Sequence, residues 1–169
     1  MNKDFPTWDF SENRPLTPEV KHYEVENVRS AVDQSREHLS AFAAERIKEC
    51  RTRAHCATIA NEVGSLLVEK IPGIRLATSD DTTSEYHPNH AYLVVKGLTP
   101  DTDIIIDPTA GQFITGLSEI YIGTRSNLRQ LILNPETTIQ NTSSKDHREE
   151  TFNRIWGSGS KITGLLYND

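Results

Sequence analysis

Three residues able to perform acyl transfer fall in the order Cys56, His90, Asp107, spaced 34 and 17 positions apart. In such a set a thiolate attacks a carbonyl, an imidazole moves the proton, and a carboxylate fixes the imidazole's tautomer and orientation. Cys56 precedes an apolar stripe at helical spacing, Ile59, Ala60, Val63, Leu66 and Leu67, which predicts a helix from about Cys56 to Lys70 closed by Pro72-Gly73. A cysteine at a helix N-terminus feels the positive end of the dipole, which favours the thiolate. His90 begins HAYLVVK and Asp107 ends TDIIID, two strand-like segments joined by the turn-like stretch 97–101. Pro108 keeps Asp107 in extended geometry. Each residue also has a plain reading: Cys56 as core, His90 as a surface or capping residue, and Asp107 as the cap of an Asp-Pro-Thr turn. The shared order and the helix, strand, strand context favour a triad.

Neighbouring residues compete for the same roles. His55 adjoins Cys56, but successive helical residues point apart, which makes it rim rather than base. Cys50 has no strand-borne histidine in register. Tyr86, His87 and Asn89 flank His90 on a polar stretch and read either as groove lining or as solvated loop. Trp156 reads equally as a roof over the site or as packing. Zinc held by His55, Cys56, His87 and His90 would match no familiar ligand spacing, so no metal or other cofactor is expected.

The elements that must position these residues follow from periodicity. Thr17-Pro18 predicts a helix start, and Val25, Val28, Val32, Leu39, Phe42, Ala43 and Ile47 continue at helical spacing to about Cys50, as one helix or as two broken near 33–35. Ile74 to Thr78 is strand-like, 79–89 reads as loop, Ile120 to Ile122 as a further strand, and Ser126 to Leu133 as a short helix. Residues 134–150 read as a polar surface excursion, 157–160 as flexible, and the C-terminus as strand or tail. Helices followed by a strand meander predict an α+β fold. Residues 1–16 form an expected arm and 17–169 one domain.

The segments HAYLVV and IIIDPTAGQF resemble the histidine and aspartate segments of the papain-like and transglutaminase-like superfamily. Within it the nearest likeness is to the papain-fold toxin and effector group, which includes glutamine deamidases. The resemblance spans residues 53–113 and implies a papain-like core, with N-terminal helices packed on a small antiparallel β-sheet. It implies Cys56 as nucleophile, His90 as base, Asp107 as its orienting acid, and Gln112, five residues beyond Asp107, near the oxyanion site. Papain-type proteases carry a glutamine shortly before the cysteine, where this chain reads ECRTRAHC. The oxyanion donors then become the Cys56 N–H and the Gln112 amide, unless Gln112 only braces the turn. The implied activity is a cysteine hydrolase working through a thioester, with protein glutamine deamidation foremost. Proteolysis or transglutamination on the same fold, or a non-catalytic protein-binding module, are the alternatives. An arylamine N-acetyltransferase also runs Cys, His, Asp, but RAHCATIA lacks the glycine-rich, acid-containing setting of that cysteine.

Bulk composition narrows the partners. Net charge is -6 with no concentrated basic face, which argues against nucleic acid. The longest apolar runs are strand-sized, so no membrane span is expected. With only two cysteines there is no disulfide framework, and free thiols in a reducing compartment are expected. No cleavable signal is visible, which suits a cytoplasmic protein or one exported without such a signal into a host or target cell. The expected partner is a protein substrate bearing glutamine or another amide.

Overall fold

A computed structural model of the protein describes residues 23–49, 55–79, 90–140 and 144–164. The expected arm, the helix start at Thr17, Cys50, and Tyr86, His87 and Asn89 lie outside the described residues.

The centre of the molecule is an antiparallel sheet of β1 (Ile74–Thr78), β2 (Ala91–Val95), β3 (Ile104–Asp107), β4 (Tyr121–Thr124) and β5 (Lys161–Thr163), in the spatial order β4-β3-β2-β1-β5. The first four strands form a meander, and β5 returns from the C-terminal region to pair with β1. The central strands β2 and β3 are buried along their whole length. Buried runs of branched and aromatic residues are what a sheet covered on both faces requires.

Alternation divides those strands between two cores. Ala91, Leu93, Val95, Ile104 and Ile106 face α1 (Val25–Ser35), α2 (Ala41–Glu49) and α3 (Cys56–Leu67). Tyr92, Val94 and Ile105 face α4 (Arg125–Leu133) and α5 (Lys145–Trp156). The fold is therefore α+β, with helices on both sides of the sheet. The N-terminal helical pattern resolves into α1 and α2, parted by a 3₁₀ turn over Arg36–His38. The break falls a little later than the sequence implied, because Ser40 starts α2: its hydroxyl accepts from the Ala43 N–H at 3.1 Å. Glu62 of α3 holds Ser40 in place by accepting from its N–H at 2.6 Å and its hydroxyl at 3.0 Å.

At the C-terminal end one expectation changes, and of the two open readings, strand or tail, the strand is found. The stretch read as a surface excursion over 134–150 contains the start of α5, capped by Ser144, which accepts from the His147 N–H at 3.3 Å. Only Phe152, Ile155 and Trp156 make a hydrophobic stripe on that helix, at i, i+3 and i+4. Arg148 is buried as well, but its guanidinium donates to the carbonyls of Ile132 and Asn134 at 3.0 and 2.8 Å and so joins α5 to the end of α4. The stretch over 157–160 connects α5 to a strand rather than to a loose tail. At Gly157 a Cβ would collide with the Asn153 carbonyl, so the helix ends there with a residue that has none.

Candidate active site

Cys56 is the first residue of α3, with His55 at the N-cap. As the first helical residue it has no intrahelical acceptor for its backbone N–H, and the dipole places partial positive charge at that end. The side chain is 7% exposed. His90 immediately precedes β2, and Ser79, just beyond β1, fastens it there. The His90 N–H donates to the Ser79 hydroxyl at 2.7 Å, and the Ser79 N–H donates to the His90 carbonyl at 2.8 Å. This continues the β1–β2 ladder for one more rung and fixes where the ring leaves the backbone.

Asp107 closes β3. The register pairs Leu93 with Ile106 and Val94 with Ile105, so its continuation sets His90 two residues beyond the position opposite Asp107. Diagonal neighbours on one face of a sheet remain within reach of a long side chain. His90 Nε2 meets Asp107 Oδ2 at 2.6 Å, with the two side chains 1% and 0% exposed. The plain reading of the Asp-Pro-Thr turn also holds, at the other oxygen: Asp107 Oδ1 accepts from the Thr109 N–H at 2.9 Å. One carboxylate thus caps its own turn and binds the imidazole, and the turn sets the plane in which the imidazole is met.

With Nε2 on Asp107, Nδ1 is the nitrogen left for Cys56. Burial alone raises the Cys56 thiol, but the hydrogen bond and charge of His90, helped by the Ala91 N–H, outweigh burial and bring it below the ordinary cysteine value. Burial alone likewise lowers His90, yet the charge and hydrogen bond of Asp107, followed by those of Cys56, raise it to about 9. The two shifts run in opposite directions. A lowered thiol beside a raised imidazole is the signature of a thiolate–imidazolium pair.

Gln112 lies in a 3₁₀ turn over Ala110–Gln112 and is buried. Its Nε2 is 3.0 Å from His90 Nδ1 and 3.3 Å from the Thr109 hydroxyl. The contact with Thr109 braces the turn, and the contact with Nδ1 sets the Gln112 amide beside the imidazole. Trp156 does more than pack: its indole N–H donates to Asp107 Oδ2 at 2.7 Å. His55 makes an edge-on ring contact with Phe42, centroids 5.2 Å apart, on the rim beside the start of α3. Among the described residues no group of three or more His, Cys, Asp or Glu side chains is placed to hold a metal ion.

Sequence reasoning missed Ser79, Thr109 and Arg125. Ser79 looked like the first residue of a polar loop. Arg125 falls just before the helix expected from Ser126, and it is buried, donating to Asp103 Oδ2 at 2.9 Å and to the Trp156 carbonyl. A signal was present in Asp103 and Asp107, which bracket the apolar III segment: a strand buried on both faces leaves an acid at each end in need of a partner.

Comparison with known proteins finds no match, since no family model, no curated protein and no solved structure matches the chain.

Proposed function

We propose that this protein is a cysteine hydrolase acting on amide-bearing protein side chains through Cys56, His90 and Asp107. The observation that carries the reading is the buried 2.6 Å contact between His90 Nε2 and Asp107, which leaves Nδ1 to the cysteine at the head of α3.

In the forward step the Cys56 sulfur forms a bond to the carbonyl carbon, and the carbonyl π electrons move onto oxygen. That oxyanion lies near the helix N-terminus, where the Cys56 backbone N–H donates to it. As the tetrahedral species collapses, the C–N bond breaks and the His90 Nδ1 proton goes to the departing nitrogen. Neutral His90 then takes a proton from water as the water oxygen attacks the thioester carbon. The C–S bond breaks, and the thiolate–imidazolium pair is restored with a carboxylic acid as product.

Gln112 responds to the state of the imidazole. An amide N–H can donate to Nδ1 only while that nitrogen is unprotonated. When Nδ1 carries a proton and turns it toward sulfur, the Gln112 N–H is displaced from it and becomes a donor for the oxyanion. Among the outcomes of the thioester, loss of ammonia from a glutamine side chain followed by hydrolysis is the one favoured by the likeness of HAYLVV and IIIDPTAGQF to the deamidase-containing toxin and effector group.

The test is iodoacetamide alkylation of Cys56 followed across pH by peptide mass spectrometry, in wild type and in His90→Ala. Rapid alkylation persisting well below the free-thiol range of about 8.5, and lost with His90, supports the pair. Candidate proteins are then screened for the mass change of amide-to-acid conversion. Slow alkylation with ordinary thiol pH dependence overturns the hydrolase and leaves a protein-binding module.

A further inference from the structure

Asp107 Oδ2 is shared. It faces His90 Nε2 at 2.6 Å and accepts from Trp156 Nε1 at 2.7 Å, while Oδ1 is held by the Thr109 N–H at 2.9 Å. Trp156 is fully buried in the last turn of α5, and its indole has little freedom to leave this position. Its ring stands edge-on to both His90 (80°, centroids 6.0 Å) and Phe113 (82°, 5.4 Å). Its carbonyl accepts from Arg125 Nη1, and Arg125 is itself fixed by Asp103 Oδ2 at 2.9 Å and the Pro100 carbonyl at 3.0 Å. A residue needed only to fill this space would do so with carbon. Here the one polar atom of the ring points at the acid that orients the candidate base.

Two donors on one carboxylate oxygen divide its accepting capacity. A buried Asp107 that bonded His90 alone would draw the imidazolium proton harder, and a general acid that holds its proton too tightly transfers it poorly to a leaving nitrogen. The groups that face His90 are Cys56 from α3, Asp107 from β3 and Tyr92 from its own strand, with Gln112 at Nδ1; the guanidinium of Arg125, from α4, lies on the backbone side of Trp156. We infer that Trp156 is a positioning residue for the reaction, whose indole N–H shares Asp107 Oδ2 with His90 and so limits how strongly His90 retains its proton. The inference rests on the reading of His90 as the acid–base group. The elevation of His90 to about 9, with Asp107 as the chief opposing influence to burial, agrees with an imidazole that needs such a limit.

The experiment is an NMR titration of the His90 ring in wild type, Trp156→Phe and Phe152→Leu. Trp156→Phe removes the N–H and keeps an aromatic ring, whereas Phe152→Leu disturbs the same cluster without touching Asp107. The expected result is a His90 midpoint raised by about half a pH unit or more in Trp156→Phe, about threefold in proton affinity, and unmoved in Phe152→Leu. An unchanged or lowered midpoint in Trp156→Phe, or an equal shift in both variants, overturns the inference. If Trp156→Phe does not fold, β-(3-benzothienyl)alanine at position 156 puts sulfur where the N–H was and gives the same comparison in a near-isosteric ring. The His90 midpoint is read whether or not the protein turns over a substrate. An inert Cys56 with a shifted midpoint sinks the hydrolase alone, and a reactive Cys56 with an unshifted midpoint sinks the role of Trp156 alone.

Discussion

The two faces of the sheet are built from different material. Toward α1, α2 and α3 the buried set is almost wholly aliphatic, with Val28, Val32, Ile47, Ile59, Val63 and Leu67 meeting alternate residues of β2 and β3. Toward α4 and α5 the aromatic residues Tyr92, Phe152 and Trp156 pack among buried Asp103, Arg125 and Arg148. The first face is held by non-directional burial, worth roughly 1.5–3 kcal/mol for each fully buried large side chain. The second also buries aliphatic residues such as Val94, Ile105, Leu128 and Ile132, but adds groups that require specific partners at specific distances. His90 and Asp107 belong to the second face, and Cys56 reaches them from the first. Burial of aliphatic surface keeps the sheet covered, while the directional network sets angles.

The comparison is broken most severely by unpairing the network. Asp103 accepts from Arg125 at 2.9 Å, from Lys96 at 3.0 Å and from the Gly97 N–H at 2.9 Å. Asp103→Ala leaves the buried Arg125 guanidinium without its carboxylate, and urea unfolding is expected to show a loss of about 3–5 kcal/mol. Leu67→Ala, at the far end of α3 from Cys56, is expected to lose about 2–5 kcal/mol by cavity formation. The two variants separate the faces: in Leu67→Ala the pH midpoint of Cys56 alkylation stays where it is in wild type. A moved midpoint would show that the aliphatic face also sets the chemistry.

His90→Ala acts on reactivity. At pH 6 an ordinary thiol is less than about one per cent ionised, so alkylation of Cys56 is expected to fall by roughly 100-fold relative to wild type. Equal rates in the two proteins would mean that the helix terminus alone activates the sulfur.

The smallest expected effect is on stability against pH. His90 is raised above its unfolded value of 6.5 to about 9, so its contribution is complete below 6.5 and is lost as pH rises toward 9. Cys56 is lowered from 9, so its contribution is complete above 9 and is lost as pH falls through its folded value. Above the folded Cys56 value and below 9 the folded state has moved one proton from sulfur to nitrogen without changing the total, and the two slopes oppose each other. Wild-type unfolding free energy is expected to be nearly flat between the folded Cys56 value and pH 9. Cys56→Ser removes one partner, and stability is then expected to decline with rising pH by at most about 1.4 kcal/mol per unit, measured by urea midpoints.

Much of the scaffold was legible in the chain because it follows local rules. The i, i+4, i+8 spacing of Ile59, Val63 and Leu67 predicts α3, and the runs in HAYLVVK and TDIIID predict β2 and β3. The contact of His90 with Asp107 was legible for the same reason, since a hairpin fixes which residues become neighbours. What escaped depends on partners distant in sequence. The stretch KDHREETFNRIW looks too polar for a packed helix until Arg148 finds the carbonyls that end α4. Trp156 carries no local mark of its bond to Asp107, 49 positions away. Ser79 reads as the opening of a loop because its bonds to His90 exist only once β1 and β2 have paired.

The sulfur sits on a helix and its imidazole on the sheet, and this has a consequence for when the chain is chemically dangerous. The pair needs α3 docked on the sheet: without α3, His90 has no sulfur to face, whereas without α4 and α5 the two still meet and only the indole donor to Asp107 is missing. A nascent or thermally loosened chain therefore carries a sluggish thiol until α3 docks, and its nucleophile is armed at that docking event.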